Sequence, residues 1–485
     1  MLFRSNKFLF FFFLINWVLL IFSLNSTPNE IFYFGQSLHR SINSLRILIP
    51  LISSFIFIVI FGIYLRNNLF NLIQKKNLIS FLLILIFIFQ FIGLFTTADR
   101  DFNFDNLYLP ILGISSLIIL TLSCDILKNK KLFEIFIYAL LLFSAAVAIF
   151  ITYLTIKKFG LYGFILIYNF IDPDDTFFNQ TLPRVTGLAR MIGILNIVII
   201  IYAINKNLLK NKLYLFLILL LSTILFFIQS RGAILCFYSV ALIIIFFQLK
   251  LFFDKFKLFI VIFFIPVCFH YLIMSNQNIN KALQKSIIEK YEIKLNQSML
   301  KSGNLSDLEK SGNISNLEKT KQKELATYQN DKIRLYTNVS SSGRIHLWKS
   351  LIMNFDKKKI FGYGPQADRF LLGDGLEKEL GFGNNVSNAI LYTFGSSGYF
   401  GLIIILFIYF FSIFFLYNKI IIEKILYKKN KFSEILSVYI IVFILIRSLF
   451  ENSFSYFGFD FLLFAAAIYA CDWKNIYFKL SLKSK

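Results

Sequence analysis

Long apolar runs are the feature that most constrains how this chain folds. Twelve such runs occur, most of them about 17 to 24 residues long, which is enough for a helix to cross the hydrocarbon core of a bilayer. Only 16% of the 485 residues are charged and 57% are apolar, whereas about a quarter of a soluble domain is charged. These runs exclude a soluble enzyme and an intrinsically disordered chain. We therefore expect an all-α, polytopic integral membrane protein.

The predicted spanning helices lie at residues 8–24, 47–65, 78–95, 108–124, 133–155, 188–204, 213–229, 232–248, 257–275, 389–417, 434–450 and 453–471. The first follows Arg4 and Lys7 and lacks a small-residue cleavage site, which predicts a retained signal anchor. The four cysteines are too few and too scattered for a disulfide framework. No residues have the spacing of a metal site, so we expect neither a metal nor another cofactor.

Basic residues in the short loops predict the orientation of the helices. With the N-terminus in the cytoplasm, the inner segments hold 23 Lys and Arg residues and the short outer loops hold nine, as the positive-inside rule requires. Twelve helices then also place the C-terminus in the cytoplasm. The chain is predicted to divide into helices one to nine (1–275), a long outer loop (276–386), and helices ten to twelve with a cytoplasmic tail (387–485).

Arginine and lysine are distributed differently between the two sides. Of the 23 inner basic residues 21 are Lys, whereas ten of the twelve Arg residues lie on the outer half. The planar guanidinium binds phosphate or carboxylate in a bidentate manner, and charge at membrane depth marks functional sites. Snorkelling to the headgroups explains any single Arg, but the set predicts an anion-binding cavity at the outer face. Nucleic acid is not expected as a partner, because no soluble basic face is present.

Six short motifs between residues 180 and 460 follow one another in a recognisable order. They are Pro183–Arg190 (PRVTGLAR), Ser230–Ala233 (SRGA), Ser342–Trp348 (SGRIHLW), Phe361–Pro365 (FGYGP), Asn388–Leu391 with Gly395 and Gly398, and Arg447–Glu451 (RSLFE). Together with the long outer loop, they resemble the family of O-antigen ligases and O-antigen polymerases.

The resemblance implies a multi-pass protein of the bacterial inner membrane that acts in lipopolysaccharide or polysaccharide biosynthesis. Such a glycosyltransferase takes a glycan from undecaprenyl pyrophosphate at the periplasmic face and passes it to a glycan or a lipid-linked acceptor, without a metal. Membrane lipids and glycan chain-length or assembly proteins are the other partners that the resemblance implies.

The implied reaction displaces a lipid pyrophosphate from an anomeric carbon. It needs cations on the leaving group and a base or a well-held hydroxyl on the attacking sugar. The candidate catalytic residues are Arg231, Arg344, His346, Ser387 and Asn388. The candidate substrate-binding residues are Arg184, Arg190, Trp348, Tyr363, Asp368, Arg369, Arg447 and Glu451. Four arginines (Arg184, Arg190, Arg231 and Arg344) are expected to bind the pyrophosphate.

Most of these residues also have a purely structural interpretation. Arg447 and Glu451 lie four apart and could form an i,i+4 ion pair, and Asp368 with Arg369 could order the loop. His346 is either the base or a polar loop residue, and Trp348 and Tyr363 either stack on sugars or pack under the loop.

Ser387 is a departure from the ligase pattern. In that pattern a His precedes the Asn-x-x-Leu stretch and is thought to activate the acceptor hydroxyl, whereas a Ser cannot act as a base near neutral pH. The departure favours a polymerase or a divergent ligase over a strict lipid A-core ligase. Two other classes remain open: a structural assembly subunit, and a flippase or other transporter of lipid-linked oligosaccharide. A transporter should have related halves, and residues 1–240 and 241–485 show no repeat.

Overall fold

The computed structural model describes residues 48, 78–97, 185–228, 230–275, 344–372, 386–422, 432–454 and 459–471. All regular structure in these ranges is helical, which confirms the predicted all-α class for this part of the chain. The predicted helices at 8–24, 108–124 and 133–155, and all but one residue of that at 47–65, lie outside the described residues.

Eight of the predicted spanning segments fall on described helices. The helices are α1 (Leu78–Thr96), α2 (Val185–Asn205), α3 (Lys212–Ile228), α4 (Arg231–Gln248), α5 (Phe252–Phe259), α6 (Ile265–Ser275), α7 (Arg344–Asn354), α8 (Ala367–Leu371), α9 (Ala389–Tyr417), α10 (Phe432–Ser448) and α11 (Phe459–Ala470). A π-helical turn at Ile260–Phe264 joins α5 to α6, and another at Asn418–Ile422 extends α9. Both α7 and α8 lie within the predicted long loop.

Helix α10 lies at the centre of the described bundle. It packs against α2, α4, α9 and α11, and every residue in it except Ile446 is buried. Three small residues on α11, Ala465, Ala466 and Ala467, are buried as well. Small side chains let helices approach closely inside a membrane, where packing and polar contacts replace the hydrophobic effect as the driving force.

One described stretch, Ala389–Ile422, is long and apolar enough to cross a membrane, and α1 to α4 each contain a shorter apolar stretch. Large apolar side chains along α9, including Phe400, Ile403, Phe407 and Phe410, are exposed on its outer surface. The twelve-helix topology stays a prediction.

The described helix ends separate into two groups with different basic residues. The first group, which we call the arginine end, comprises residues 190, 230–232, 344, 388, 447–453 and 460. The second, the lysine end, comprises residues 206–212, 250–257, 419–422, 432–434 and 471. Contacts within the lysine end include Lys257 Nζ to Leu209 O at 3.2 Å and Cys471 Sγ to Glu434 O at 3.7 Å.

A loop segment that we call the strap, residues 360–364, runs between α1 and α9. The Tyr399 N–H, which a regular helix would direct to Gly395 O, donates instead to Ile360 O at 3.1 Å, and Gly395 O accepts from Tyr363 N at 3.0 Å. This exchange is possible because α9 is interrupted at Gly398, where φ is +64°. The FGYGP motif therefore binds the glycine pair of the next motif.

Candidate functional site

The turn that follows α10 is where several of the predicted motifs meet. Arg344 Nη1 donates to Phe450 O at 2.7 Å, and Asn388 Nδ2 donates to Leu449 O at 3.0 Å. These carbonyls are available because they lie just beyond the last residues of a helix, where backbone groups lose their regular partners. Residues that are 61 and 106 positions apart in sequence are thereby joined to one turn.

A buried carboxylate, Asp460, holds two of the predicted arginines. Arg190 Nη1 lies 3.0 Å from its Oδ1, Arg447 Nε lies 2.8 Å from its Oδ2, and Ser453 Oγ donates to Oδ2 at 2.8 Å. The three charged side chains are at most 8% exposed. An isolated charge at this depth would cost several kcal/mol. The two cations compensate the carboxylate, and one positive charge remains in excess.

Glu451 faces Arg344 and not Arg447. Its Oε1 lies 3.6 Å from Arg344 Nη2, while its backbone N–H donates to Arg447 O at 2.8 Å. The regular part of helix α10 ends at Ser448, and the bond from Glu451 N to Arg447 O closes one further turn. The short ion pair of Arg447 is with Asp460 and that of Glu451 is with Arg344, while Arg447 and Glu451 interact electrostatically at longer range. We call Arg190, Arg344, Arg447, Glu451 and Asp460 the arginine site.

Arg231 belongs to the same end of the bundle by its backbone position. It is the first residue of α4, and a Cβ built on the adjacent Gly232 would lie 3.7 Å from Phe450 Cβ. The side chains of Arg231, His346 and Arg369, and all of Arg184, lie outside the described residues. His346 occupies the first turn of α7, two residues after Arg344.

Asn388 has both of its side-chain polar atoms engaged. Its Oδ1 accepts from Leu391 N at 3.0 Å, which makes it the N-cap of α9, and its Nδ2 binds the turn after α10. Ser387, directly before it, has a φ of +45°, a left-handed conformation that few Ser residues adopt. These two hydrogen bonds give Asn388 a structural role. The predicted contact of Ser387 or Asn388 with an acceptor stays a prediction.

Two more predicted residues hold the chain just before Ser387. Trp348 Nε1 donates to Val386 O at 2.7 Å, and Asp368 Oδ2 accepts from Val386 N at 3.2 Å. Tyr363 is buried, and its hydroxyl accepts from Asp356 N at 3.1 Å. These contacts favour the packing interpretation for Trp348 and Tyr363.

Asp460 and Ser453 are site residues that the sequence analysis missed. Asp460 is the single acidic residue in α11, a helix that is otherwise almost entirely apolar. The rule that intramembrane charge marks a functional site singles it out when acids are considered as well as arginines. Ser453 carries no such signal, because an isolated Ser beside an apolar run is common. Among the residues with described positions, no cluster of His, Cys, Asp and Glu is placed to hold a metal.

Comparison with known proteins gives one match. The family model described as O-antigen ligase matches residues 215–406, a span that contains Arg231, Arg344, His346, Ser387 and Asn388 and the strap. Arg190, Arg447, Glu451 and Asp460 lie outside the match. No curated protein and no solved structure matches the chain. The match covers the SRGA, SGRIHLW, FGYGP and Asn-x-x-Leu motifs in their expected order, and it supports the predicted resemblance of the chain to the O-antigen ligase and polymerase family.

Proposed function

We propose that this protein is a glycosyltransferase that moves a glycan from a polyprenyl-pyrophosphate carrier to a sugar acceptor at the periplasmic face of the inner membrane, and that it acts as a polymerase. The family is one of membrane proteins, located in the inner membrane of bacteria, with O-antigen ligase or polymerase activity. The donor, the face of the membrane and the polymerase activity are our proposal.

The excess of positive charge in the arginine site is the observation that carries the proposal. Three described guanidiniums face two carboxylates there, and the backbone of Arg231 adds a fourth Arg to the same end. A pyrophosphate leaves with negative charge, which fixed cations in a low-dielectric site stabilise as it develops. Arg344 has the most exposed of the three side chains, at 27%, and would meet the donor first.

The arginines would have different roles because they have different partners. Arg190 and Arg447 are oriented by Asp460 and are buried, so they would supply a fixed field around the leaving group. Within the described ranges Arg344 is anchored by one backbone carbonyl and a longer ion pair, which leaves part of its guanidinium for a phosphate oxygen. The arginines would then carry the leaving-group charge without a metal ion.

The membrane arrangement is part of the proposal. We place the arginine end at the periplasmic face and the lysine end in the cytoplasm, because lysine-rich ends face the cytoplasm in inner-membrane proteins. Residues 1–275 and 387–485 would then supply the transmembrane helices, and residues 276–386 the long periplasmic loop, which includes α7 and α8. The lipid-linked acceptor and any chain-length partner would approach from this side.

The proposal of a polymerase, and not a ligase, rests on Ser387. A ligase transfers to a lipid A-core and, in the family pattern, has a His at this position, which this chain lacks. In a polymerase the acceptor is a sugar on a second lipid-linked glycan.

Complementation separates the two activities. The gene is expressed in cells that lack their O-antigen polymerase and in cells that lack their ligase, and the glycans are resolved by electrophoresis. Long ladders restored in the polymerase-null cells support the proposal. Attachment of glycan to the core, restored only in the ligase-null cells, would show a ligase that works without that His. Arg344→Gln should abolish the ladders, whereas Lys349→Gln, which removes an exposed cation from the same helix, should leave them unchanged.

A further inference from the structure

Carboxylates are few in the described part of the chain, and only some are near the arginine site. The six are Asp254, Asp356, Asp368, Glu434, Glu451 and Asp460. Asp254 and Glu434 belong to the lysine end, and Asp356 is exposed and accepts from Lys358 N in a loop turn. This leaves Glu451 and Asp460, which belong to the arginine site, and Asp368, which binds the segment just before Asn388.

The three remaining carboxylates differ in how fully they are engaged. Asp460 accepts from two guanidiniums and a hydroxyl and has a side chain that is only 4% exposed. Asp368 is also buried and accepts from Val386 N. Glu451 has a side chain that is 13% exposed, and its nearest cation lies at 3.6 Å, beyond the range of a good hydrogen bond. Among the six described carboxylates, Glu451 is thus the one that has room to take a proton from a bound molecule.

The position of Glu451 relative to Ser387 and Asn388 is the second observation. Asn388 donates to the carbonyl of Leu449, two residues before Glu451, so the acid lies beside the segment that begins α9. The backbone of Glu451 is fixed on both sides: its N–H donates to Arg447 O at 2.8 Å, and its carbonyl accepts from Ser453 N at 2.9 Å. The Glu451 carboxylate therefore lies on a hydrogen-bonded turn, next to the segment of Ser387 and Asn388, and neither of these two residues can act as a base.

We propose that Glu451 is the general base of the transfer, an inference that rests on the proposed function. The acceptor hydroxyl gives its proton to the Glu451 carboxylate while its oxygen forms a bond to the anomeric carbon. The bond from that carbon to the pyrophosphate oxygen breaks, and its electron pair stays on the pyrophosphate, which the arginines bind. The proton then leaves Glu451 for solvent. Around Glu451, Arg344 orients the carboxylate, and the Arg190–Arg447–Asp460 group supplies the remaining charge.

The test uses the full chain in liposomes, with the lipid-linked glycan extracted from cells that lack this protein. Glu451→Gln keeps the shape of the side chain but cannot accept a proton. It should lower kcat by about 10² to 10³, within the usual contribution of a general base, while the KM for the lipid-linked glycan changes by less than about threefold. Glu451→Asp should retain more activity than Glu451→Gln, and Asp356→Asn, the exposed control, should match the wild type.

An assay with azide as the acceptor shows whether Glu451 is a general base or only holds Arg344 in position. Azide attacks carbon without losing a proton, so Glu451→Gln should form glycosyl azide about as fast as the wild type. Normal transfer to hydroxyls by Glu451→Gln would overturn the inference. So would loss of donor binding together with absence of azide rescue, because Glu451 would then only hold Arg344 in place. A wild-type protein that transfers no glycan at all would refute the proposed function itself.

Discussion

Replacing Asp460 with Asn tests whether one buried carboxylate holds the arginine site together. The substitution keeps the size of the side chain and removes its charge. Arg190 and Arg447, at 3.0 and 2.8 Å from the carboxylate oxygens, would be left as two buried cations with only the more distant Glu451 as a counter-charge among the described residues. The oxygen of the Asn amide can still accept hydrogen bonds, so the electrostatic loss dominates.

The magnitude follows from the burial of the three groups. Removing one partner of a buried ion pair costs about 3–5 kcal/mol, because the other charge stays desolvated. Arg190→Gln should cost less, since Asp460 and Arg447 remain as a neutral pair. In the double variant Arg190→Gln with Asp460→Asn, only Arg447 is left unpaired. The double variant should therefore lose less stability than the sum of the two single variants, by roughly 0.5–3 kcal/mol for groups in direct contact.

Reversible unfolding of the purified protein by SDS in mixed micelles measures these differences. Asp356→Asn serves as the control. Because Asp356 is exposed, this substitution should change the free energy of unfolding by less than about 0.5 kcal/mol. The reasoning fails if Asp460→Asn is as stable as that control, or if the two single effects add to within about 0.5 kcal/mol. Either result would mean that Asp460 does not compensate the two arginines.

Three further predictions concern the strap, the anion site and the topology. Gly93→Ala should lower the free energy of unfolding by about 1–3 kcal/mol, because a Cβ there would lie 2.5 Å from the backbone carbonyl oxygen of Phe361. The control Gly193→Ala, whose Cβ would have its nearest neighbour at 3.5 Å, should have a smaller effect in the same SDS titration. Arg231→Lys should keep wild-type abundance yet lose about 10² to 10³ of the glycan transfer rate, since Lys lacks the planar fork, and normal transfer would reduce Arg231 to a topology anchor. A cysteine at Ser311 should react with a membrane-impermeant maleimide in spheroplasts and one at Asn430 should not; the reverse labelling would invert the proposed orientation.

For the part of the chain that the structure describes, the apolar runs alone were enough to predict the helical class and the approximate helix positions, because a long apolar run requires a helix wherever it meets lipid. Segment 213–229 became α3 at Lys212–Ile228, and segment 232–248 became α4 at Arg231–Gln248. The separation of arginines from lysines was also visible in the sequence. It required only the order of the helices, since alternate ends of consecutive helices lie on the same side.

The pairing of charged side chains could not be predicted from the sequence. Arg190 and Asp460 are 270 residues apart, and Arg447 and Asp460 are 13 apart, so no local pattern connects them. The spacing of Arg447 and Glu451 suggested a pair within one helix, but α10 ends before residue 451 and each side chain binds a partner from elsewhere in the chain. Likewise, the FGYGP motif and the glycine pair of α9 were separate signals until the structure joined them through backbone hydrogen bonds. The physical reason is the same in each case: helix formation depends on neighbours in sequence, whereas ion pairs and exchanged backbone hydrogen bonds depend on how helix ends and loops meet in space.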